Sequence, residues 1–325
     1  MNHTPRINDL AFELLDEMIH RPDFFSIKIK KTSTGPTIID AGIEAKGSLE
    51  AGRLITEICM GGLAKAEIIP SKFDDLEFLA IFVRTNHPAV AVLGSQLAGW
   101  KINWNNYSAI GSGPARALAL KPKNIYQEIG YEDRSRRAVI VLETESYPPA
   151  EVTDKVSQEC KIKPDQLSVI LTPTTSMAGS VQISGRIVEV GMHKLRRLGI
   201  NPKTILEAWG SSPIPPPHPK PIEAMARTND SILYGGIAYY VIDHPNEKEL
   251  KNVVNKASSS ASDAYGRPFI EIFKQAKFDF FNIDSDLFAP AMLIVYNSRT
   301  GNAFKSGRTN NELLRQSFNL QKIRS

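Results

Sequence analysis

The chain has 325 residues and a formal charge of +4, with 42% apolar and 23% charged residues; that is long enough for two domains with full cores, and the charge is too mild and dispersed to argue for nucleic acid. Apolar runs such as 79–83 (LAIFV) and 89–94 (AVAVLG) fall far short of a membrane span, and the N-terminal stretch has early charges and no apolar leader core. The two cysteines, Cys59 and Cys160, form no CxxC pair and join no zinc-spaced cluster, so a reduced, cytoplasmic protein without a structural metal is expected.

Taken in chain order, residues 5–20 space Ile7, Leu10, Leu14 and Met18 as the stripe of an amphipathic helix. Residues 24–42 alternate around a Ser-Thr-Gly-Pro turn and predict a β-hairpin. Residues 48–62 open on a Ser cap with Glu50 in the first turn and close on two glycines, which predicts a helix. Strands are predicted at 65–70 and 78–84. After His87-Pro88, the small apolar residues 89–100 predict a buried helix. The β-branched runs 136–144 and 166–174 suit the centre of a sheet, with a helix between them. Residues 176–199 form the longest helical pattern in the chain. SSPIPPPHPKP (211–221) reads as an extended connector or a rim loop. Then come a strand over 231–243, a polar loop around 258–262, a helix near 268–276, a strand at 291–296 and a last helix near 310–318. Strands and helices mix without a strict βαβ rhythm, so the fold class is α+β, mixed, with more than one layer.

Four stretches are candidate sites. In GSGPARALAL (111–120), Pro114 fits the first turn of a helix. Gly111 and Gly113 permit positive φ or a close backbone approach. First-turn N–H groups with Arg116 beside them would suit an anion or a carbonyl; the alternative is a plain turn with Arg116 exposed. There is no Walker or dinucleotide fingerprint here. In SGRIVEVG (184–191), Arg186 and Glu189 lie three apart on a polar face shared with Gln182 and His193, which alone describes an exposed salt bridge. Yet Gly179, Ser180, Ser184, Gly185 and Gly191 would weaken an exposed helix, and such small residues imply a close approach by something else. TPTTS (172–176) offers hydroxyls for capping or for a ligand, and ARTNDSILYGG (226–236) places Asn229 and Asp230 in a turn before a strand.

Together GSGPARALALKP, EIGYED, VTDKVSQEC, SVQISGRIVEVG, RTNDSILYGG, SSSASDAYGRPF and FAPA resemble the methenyltetrahydromethanopterin cyclohydrolase family, from about residue 8 to about 318. The resemblance implies a cytoplasmic hydrolase of one-carbon metabolism, in methanogenesis or methylotrophic formaldehyde oxidation. It interconverts the methenyl and formyl forms of tetrahydromethanopterin, or of the dephospho carrier, with no metal or prosthetic group. It implies two domains with an active-site cleft between them, and a homotrimer. The expected division is 1–88 plus 269–325 against 89–268, the latter carrying both the GSGPAR turn and the SGRIVE helix. The family's essential Arg and Glu match Arg186 and Glu189. Substrate contacts are expected from Ser95 and Gln96, from Gly111, Ser112, Gly113 and Arg116, and from Thr174, Ser184 and Asn229. The resemblance departs at one place: archaeal members tend to carry a lysine in the segment written here GSQLAGW, where this chain has Leu97. That missing cation motivates one alternative, a non-catalytic pterin-binding protein on the same scaffold. A second alternative sets the resemblance aside and makes the 111–116 turn the anion site of a sugar-phosphate or nucleotide enzyme.

Overall fold

A computed structural model describes residues 4–31, 34–73 and 76–320. The first part of the chain holds α1 (Ile7–His20), α2 (Pro22–Phe25), β1 (Lys28–Lys31), β2 (Thr37–Asp40), α3 (Leu49–Cys59), β3 (Lys65–Phe73) and β4 (Leu76–Thr85). A π-helical segment (Ala89–Gln96) leads to β5 (Trp100–Trp104), β6 (Tyr107–Ser112), α4 (Ala115–Ala119), α5 (Lys123–Ile129), β7 (Ala138–Glu143), α6 (Ala150–Cys160), β8 (Leu167–Leu171), α7 (Met177–Ser184) and α8 (Ile187–Arg197). Then follow β9 (Ile205–Pro213), α9 (Pro221–Asp230), a π-helical turn (Ser231–Gly235) and β10 (Ile237–Ile242). The last elements are α10 (Glu247–Val254), α11 (Phe269–Gln275), β11 (Met292–Asn297), β12 (Ala303–Gly307) and α12 (Asn311–Ser317). The fold is α+β, with two mixed six-stranded sheets.

The chain forms two compact units, residues 1–66 with 87–182 and residues 67–86 with 183–325. The division falls elsewhere than the expected 1–88 plus 269–325 against 89–268. The GSGPAR turn belongs to the first unit and the Arg186–Glu189 segment to the second, because the chain passes from one to the other near the end of α7.

In the first unit the strands run in the order β1-β2-β8-β7-β6-β5, with β2, β8 and β7 parallel at the centre. Alternate residues of the predicted β-branched runs go to opposite faces. Ile39, Val139, Val141 and Ile170 pack with α1 and α3 on one face, and Ile140, Leu142, Val169 and Leu171 pack with Val152 and Val156 of α6 on the other. The hairpin of β1 and β2 pairs as expected; residues 32–33 of its turn lie outside the described residues. The buried stripe of α1 is rotated from the expected one: Ile7, Ala11, Leu15 and Met18 are fully buried, while Leu10 and Leu14 lie at its margin. The stripe turns to bury Asn8, which donates to Pro114 O (2.8 Å) and Asp133 Oδ2 (2.7 Å) and accepts from Val139 N (2.9 Å). Asn105-Asn106 close a β5–β6 hairpin that the reading of the sequence passed over.

In the second unit the order is β12-β11-β10-β9-β4-β3. Here β10 and β11 are parallel, and β9 is antiparallel to both β10 and β4. Residues 176–199 are two helices rather than one. Residues 221–235 are α9 and a π-helical turn where a turn and a strand were expected; the strand starts only at Ile237. Ser211–Pro213 end β9, so the extended connector begins at 214. The sequence reading also passed over α10 and β12.

Asp230, at the end of α9, is wholly buried; it accepts from Phe269 N (2.8 Å) and Ser317 Oγ (2.6 Å) and so ties α9 to α11 and α12. Burial pushes its carboxyl up from 3.8 to about 7, against the opposing effect of those hydrogen bonds. The folded chain therefore holds a proton that the unfolded chain has released. Stability should fall as the pH rises from about 4 to about 7 and be level above. Asp230→Asn keeps both hydrogen bonds without the charge. Urea unfolding between pH 4.5 and 8 should show that this slope is lost, with the variant at least as stable as the parent at pH 8. A variant that is less stable at pH 8 would contradict the assignment.

Candidate active site

The helical pattern over 176–199 breaks at Gly185-Arg186. Arg186 caps α8 with φ −83° and ψ 8°, outside the helix proper, and Glu189 lies in the first turn. A carboxylate there is favoured by the first-turn N–H groups and the helix dipole. Arg186 Nε stands 2.6 Å from Glu189 Oε2, and both side chains are only 9% exposed. The exposed salt bridge suggested by spacing alone is thus a buried ion pair. Taking two charges out of water costs several kcal/mol per ion, so burial of the pair is weak support for the fold and calls for another reason. The contact is also undirected: Oε2 receives no hydrogen bond of acceptable angle, so it keeps a lone pair for another proton donor. Ser184, the last residue of α7, has a wholly buried hydroxyl with no hydrogen-bond partner among the described residues.

Gln182 is buried and His193 half-buried. Burial pulls the His193 imidazole below its usual range, against the pull of Glu189, so it is neutral at pH 7 and adds no competing cation.

The small residues do need a close approach, and part of it comes from the protein itself. A Cβ on Gly191 would overlap the Tyr240 hydroxyl, and one on Gly179 would overlap the Pro173 carbonyl. Ile187 fills the space that a side chain would take at Gly236, and at Gly210 a Cβ would meet the Ile237 carbonyl first, with Ile187 close behind. The Tyr240 hydroxyl donates to Val188 O (2.7 Å), and Lys194 Nζ, fully buried, donates to Asp286 Oδ1 (2.7 Å). Helix α8 is therefore fixed on β9 and β10 along its first three turns, which fixes Glu189.

The first unit's candidates are arranged differently from the expectation. Arg116 is wholly buried, and it donates from Nε to Lys121 O (2.8 Å) and from Nη1 to Leu93 O (3.2 Å) and Ser95 O (3.0 Å). It is neither exposed nor offered outward, and α4 behind it is only five residues long. Gly113, at φ +92°, gives its N–H to Ser95 O (2.9 Å). Ser95 Oγ donates to Cys59 O (2.6 Å), and Ser112 Oγ lies 3.7 Å from Cys59 Sγ. Ser95, Ser112, Gly113 and Arg116 are thus drawn into one buried network around the π-helical segment, at whose end Gln96 is buried, with Gly111 beside Trp100. The carbonyls at the end of that segment need donors, and Arg116 supplies them. Leu97 caps the segment, half-buried.

Thr174 does not cap α7. Ser176 Oγ accepts from Gly179 N (3.0 Å) in that role, and Thr174 Oγ1 donates to Glu143 Oε1 (2.6 Å). Thr175 Oγ1 donates to Glu145 Oε2 (3.1 Å); burial, with some help from Glu143, raises the Glu145 carboxyl. Reading the sequence passed over this pair, although acids just past a fully buried parallel strand mark a place where open sheets bind ligands. Asn229 sits inside α9 and donates to Met225 O (2.9 Å). Among the described residues, no group of three or more His, Cys, Asp or Glu is placed to hold a metal ion, and no helix is long and apolar enough to cross a membrane.

Comparison with known proteins adds an independent finding. The profile of the family described as Cyclohydrolase (MCH) matches residues 6–318. Methenyltetrahydromethanopterin cyclohydrolase of Methanothermobacter marburgensis is 42% identical over 317 residues, 97% of this chain and 99% of that protein. The protein of the same name from Methanocaldococcus jannaschii is 40% identical over 315 residues, 96% and 98% of the two chains. That of Methanococcoides burtonii is 38% identical over 317 residues, 98% and 99%.

Arg116→Met distinguishes a fold-bracing arginine from a ligand contact. It removes the Arg116 donor from the carbonyls of Leu93 and Lys121, at about 1–3 kcal/mol for each group left unsatisfied, while Ser95 O keeps the Gly113 N–H. The expected outcome is a large fall in melting temperature by calorimetry. An unchanged melting temperature with a raised KM would instead make Arg116 a substrate residue.

Proposed function

Because the chain belongs to the cyclohydrolase (MCH) family, we propose that it hydrolyses methenyl-tetrahydromethanopterin to the formyl form, and runs the reverse reaction, with Arg186 and Glu189 as the reacting pair. The observation that carries this reading is the buried, undirected contact between the two side chains. The substrate's methenyl carbon bridges two nitrogens and shares their positive charge, so it is already an electrophile. What the reaction needs is a base for water and an acid for the departing nitrogen. One carboxylate can serve as both.

Glu189 accepts a proton from water as the water oxygen attacks the methenyl carbon, which gives a neutral carbinolamine. Collapse to the formyl group breaks one carbon–nitrogen bond. The nitrogen takes the proton from Glu189, and the carbinolamine hydroxyl releases its own to solvent, the one proton the hydrolysis sets free. Arg186 keeps the carboxylate oriented until the substrate arrives, and its positive charge favours the charge developing on the attacking oxygen. Ser184, two residues before Arg186 and with its hydroxyl buried and unpartnered, is the substrate or water contact this reading keeps from the second unit. A closed site also strengthens each of these interactions.

Loss of the methenyl absorbance measures the reaction directly. Glu189→Gln preserves size and removes the base. kcat should fall by about 10²–10⁴-fold, with KM within a few-fold of the parent and an unchanged circular dichroism spectrum. A near-normal kcat would remove Glu189 from the mechanism.

A further inference from the structure

Hydrolysis of a cationic methenyl group to a neutral formyl group sets one proton free, and the polar stripe of α8 leads from the reacting pair toward solvent. Arg186, Glu189 and His193 stand three and then four residues apart, so they follow one line along the helix. Exposure grows along that line: Glu189 is buried, His193 is half-buried, and Arg197 in the last turn is exposed. Helical side chains lean toward the N-terminus of their own helix, so His193 lies back over the turn that carries Glu189. Cβ atoms at this spacing are about 6 Å apart. A carboxylate and an imidazole close such a gap directly or across one water.

The neighbours of His193 are committed elsewhere. Lys194 Nζ pairs with Asp286 Oδ1 at 2.7 Å, and Arg197 donates to Ser285 O and Ser285 Oγ, both at 2.6 Å. Among the described residues no hydrogen bond holds the His193 ring, and neither ring nitrogen is sealed from solvent. A half-buried histidine that braces a fold ordinarily spends a ring nitrogen on a partner; this one keeps both. Burial holds its imidazole below the usual range, Glu189 opposes that, and Arg196 and Arg197 add to it. Tyr240, the titratable group that the sheet packs against this part of α8, keeps its phenol proton, donated to Val188 O. The ring is therefore neutral at pH 7, drawn on one side to a carboxylate and faced on the other by cations that repel a proton outward.

We propose that His193 passes the reaction's proton between Glu189 and solvent, outward in hydrolysis and inward in the reverse direction. The inference rests on the reading of Glu189 as the base. Once Glu189 has protonated the departing nitrogen it is a carboxylate again, and it takes the proton of the carbinolamine hydroxyl as the formyl carbonyl forms. The O–H bond of Glu189 then breaks as an N–H bond forms on His193. The imidazolium releases the proton on its other nitrogen to a base in solution. One proton leaves per turnover, no electron changes hands, and both side chains return to their starting forms. His193 touches no reacting atom; it resets Glu189.

Turnover of the full chain in weak and in strong buffer near pH 7.5 tests it, followed by the methenyl absorbance. The parent's kcat should not depend on buffer concentration. His193→Gln stays polar and similar in length but cannot carry the proton. Its kcat in weak buffer should fall at least about tenfold, with KM within a few-fold of the parent and circular dichroism unchanged. Free imidazole should restore that kcat in a saturable way, and restore it more fully in His193→Ala, which leaves room for the added ring. A variant as fast as the parent in weak buffer would overturn the proposal. So would a loss that imidazole leaves unmoved, since a free base does not replace a packing contact. A parent whose kcat already climbs with buffer concentration would overturn it without any substitution. Failure of the underlying reading is told apart by Glu189→Gln, which would then keep its turnover.

Discussion

The proposed function depends on one buried ion pair placed where a helix breaks. Two opposite charges enclosed by protein are expensive, and an apolar pair of similar volume would serve the fold as well or better. Here the pair is held at 2.6 Å with the carboxylate oxygen left short of a directed hydrogen bond. Such an arrangement holds a carboxylate in place without satisfying it. Glu189 lies in the first turn of α8, with Arg186 as its ion-pair partner.

Much of the second unit is arranged to hold that helix still. Gly191 and Gly236 leave room for the Tyr240 and Ile187 side chains, and Gly210 for the Ile237 carbonyl; each would clash if it carried a Cβ. Tyr240 reaches from the sheet to the backbone of α8, and Lys194 reaches from α8 to Asp286. The glycines that look costly in a helix read as isolated sequence are seats for packing at Gly179 and Gly191. The first unit uses the same device on a smaller scale: Gly99 lies against the Arg116 guanidinium, which in turn holds the end of the π-helical segment.

The sheet centre of the first unit was legible because the runs 136–144 and 166–174 are apolar on both faces, and only a fully covered parallel strand needs that. The ends of α3 were legible because Ser48 and the paired glycines carry out their capping and terminating roles locally. The break at Gly185-Arg186 was not, since the apolar spacing continues through it and two short helices in line keep the same period. Residues 226–235 were misread because Asn-Asp and Gly-Gly signal turns, whereas Asp230 is held inside α9 by partners far along the chain at Phe269 and Ser317. Arg116 looked available for a ligand for a similar reason. Its partners are main-chain carbonyls, which no sequence pattern displays. The spacing marks Arg186 and Glu189 as a pair, but their catalytic role comes only from the family resemblance; their burial, which separates them from a surface pair, is a tertiary property.

The central claim is that the pair is kept for chemistry and not for the fold. Replacing both residues together, Arg186→Met with Glu189→Leu, removes the charges and leaves apolar volume in their place. Thermal unfolding and methenyl hydrolysis measured on the same preparation should give a melting temperature equal to or above that of the parent, with turnover no faster than in buffer. A melting temperature well below the parent's, with turnover retained, would show that the pair braces the fold and that the reaction is carried elsewhere.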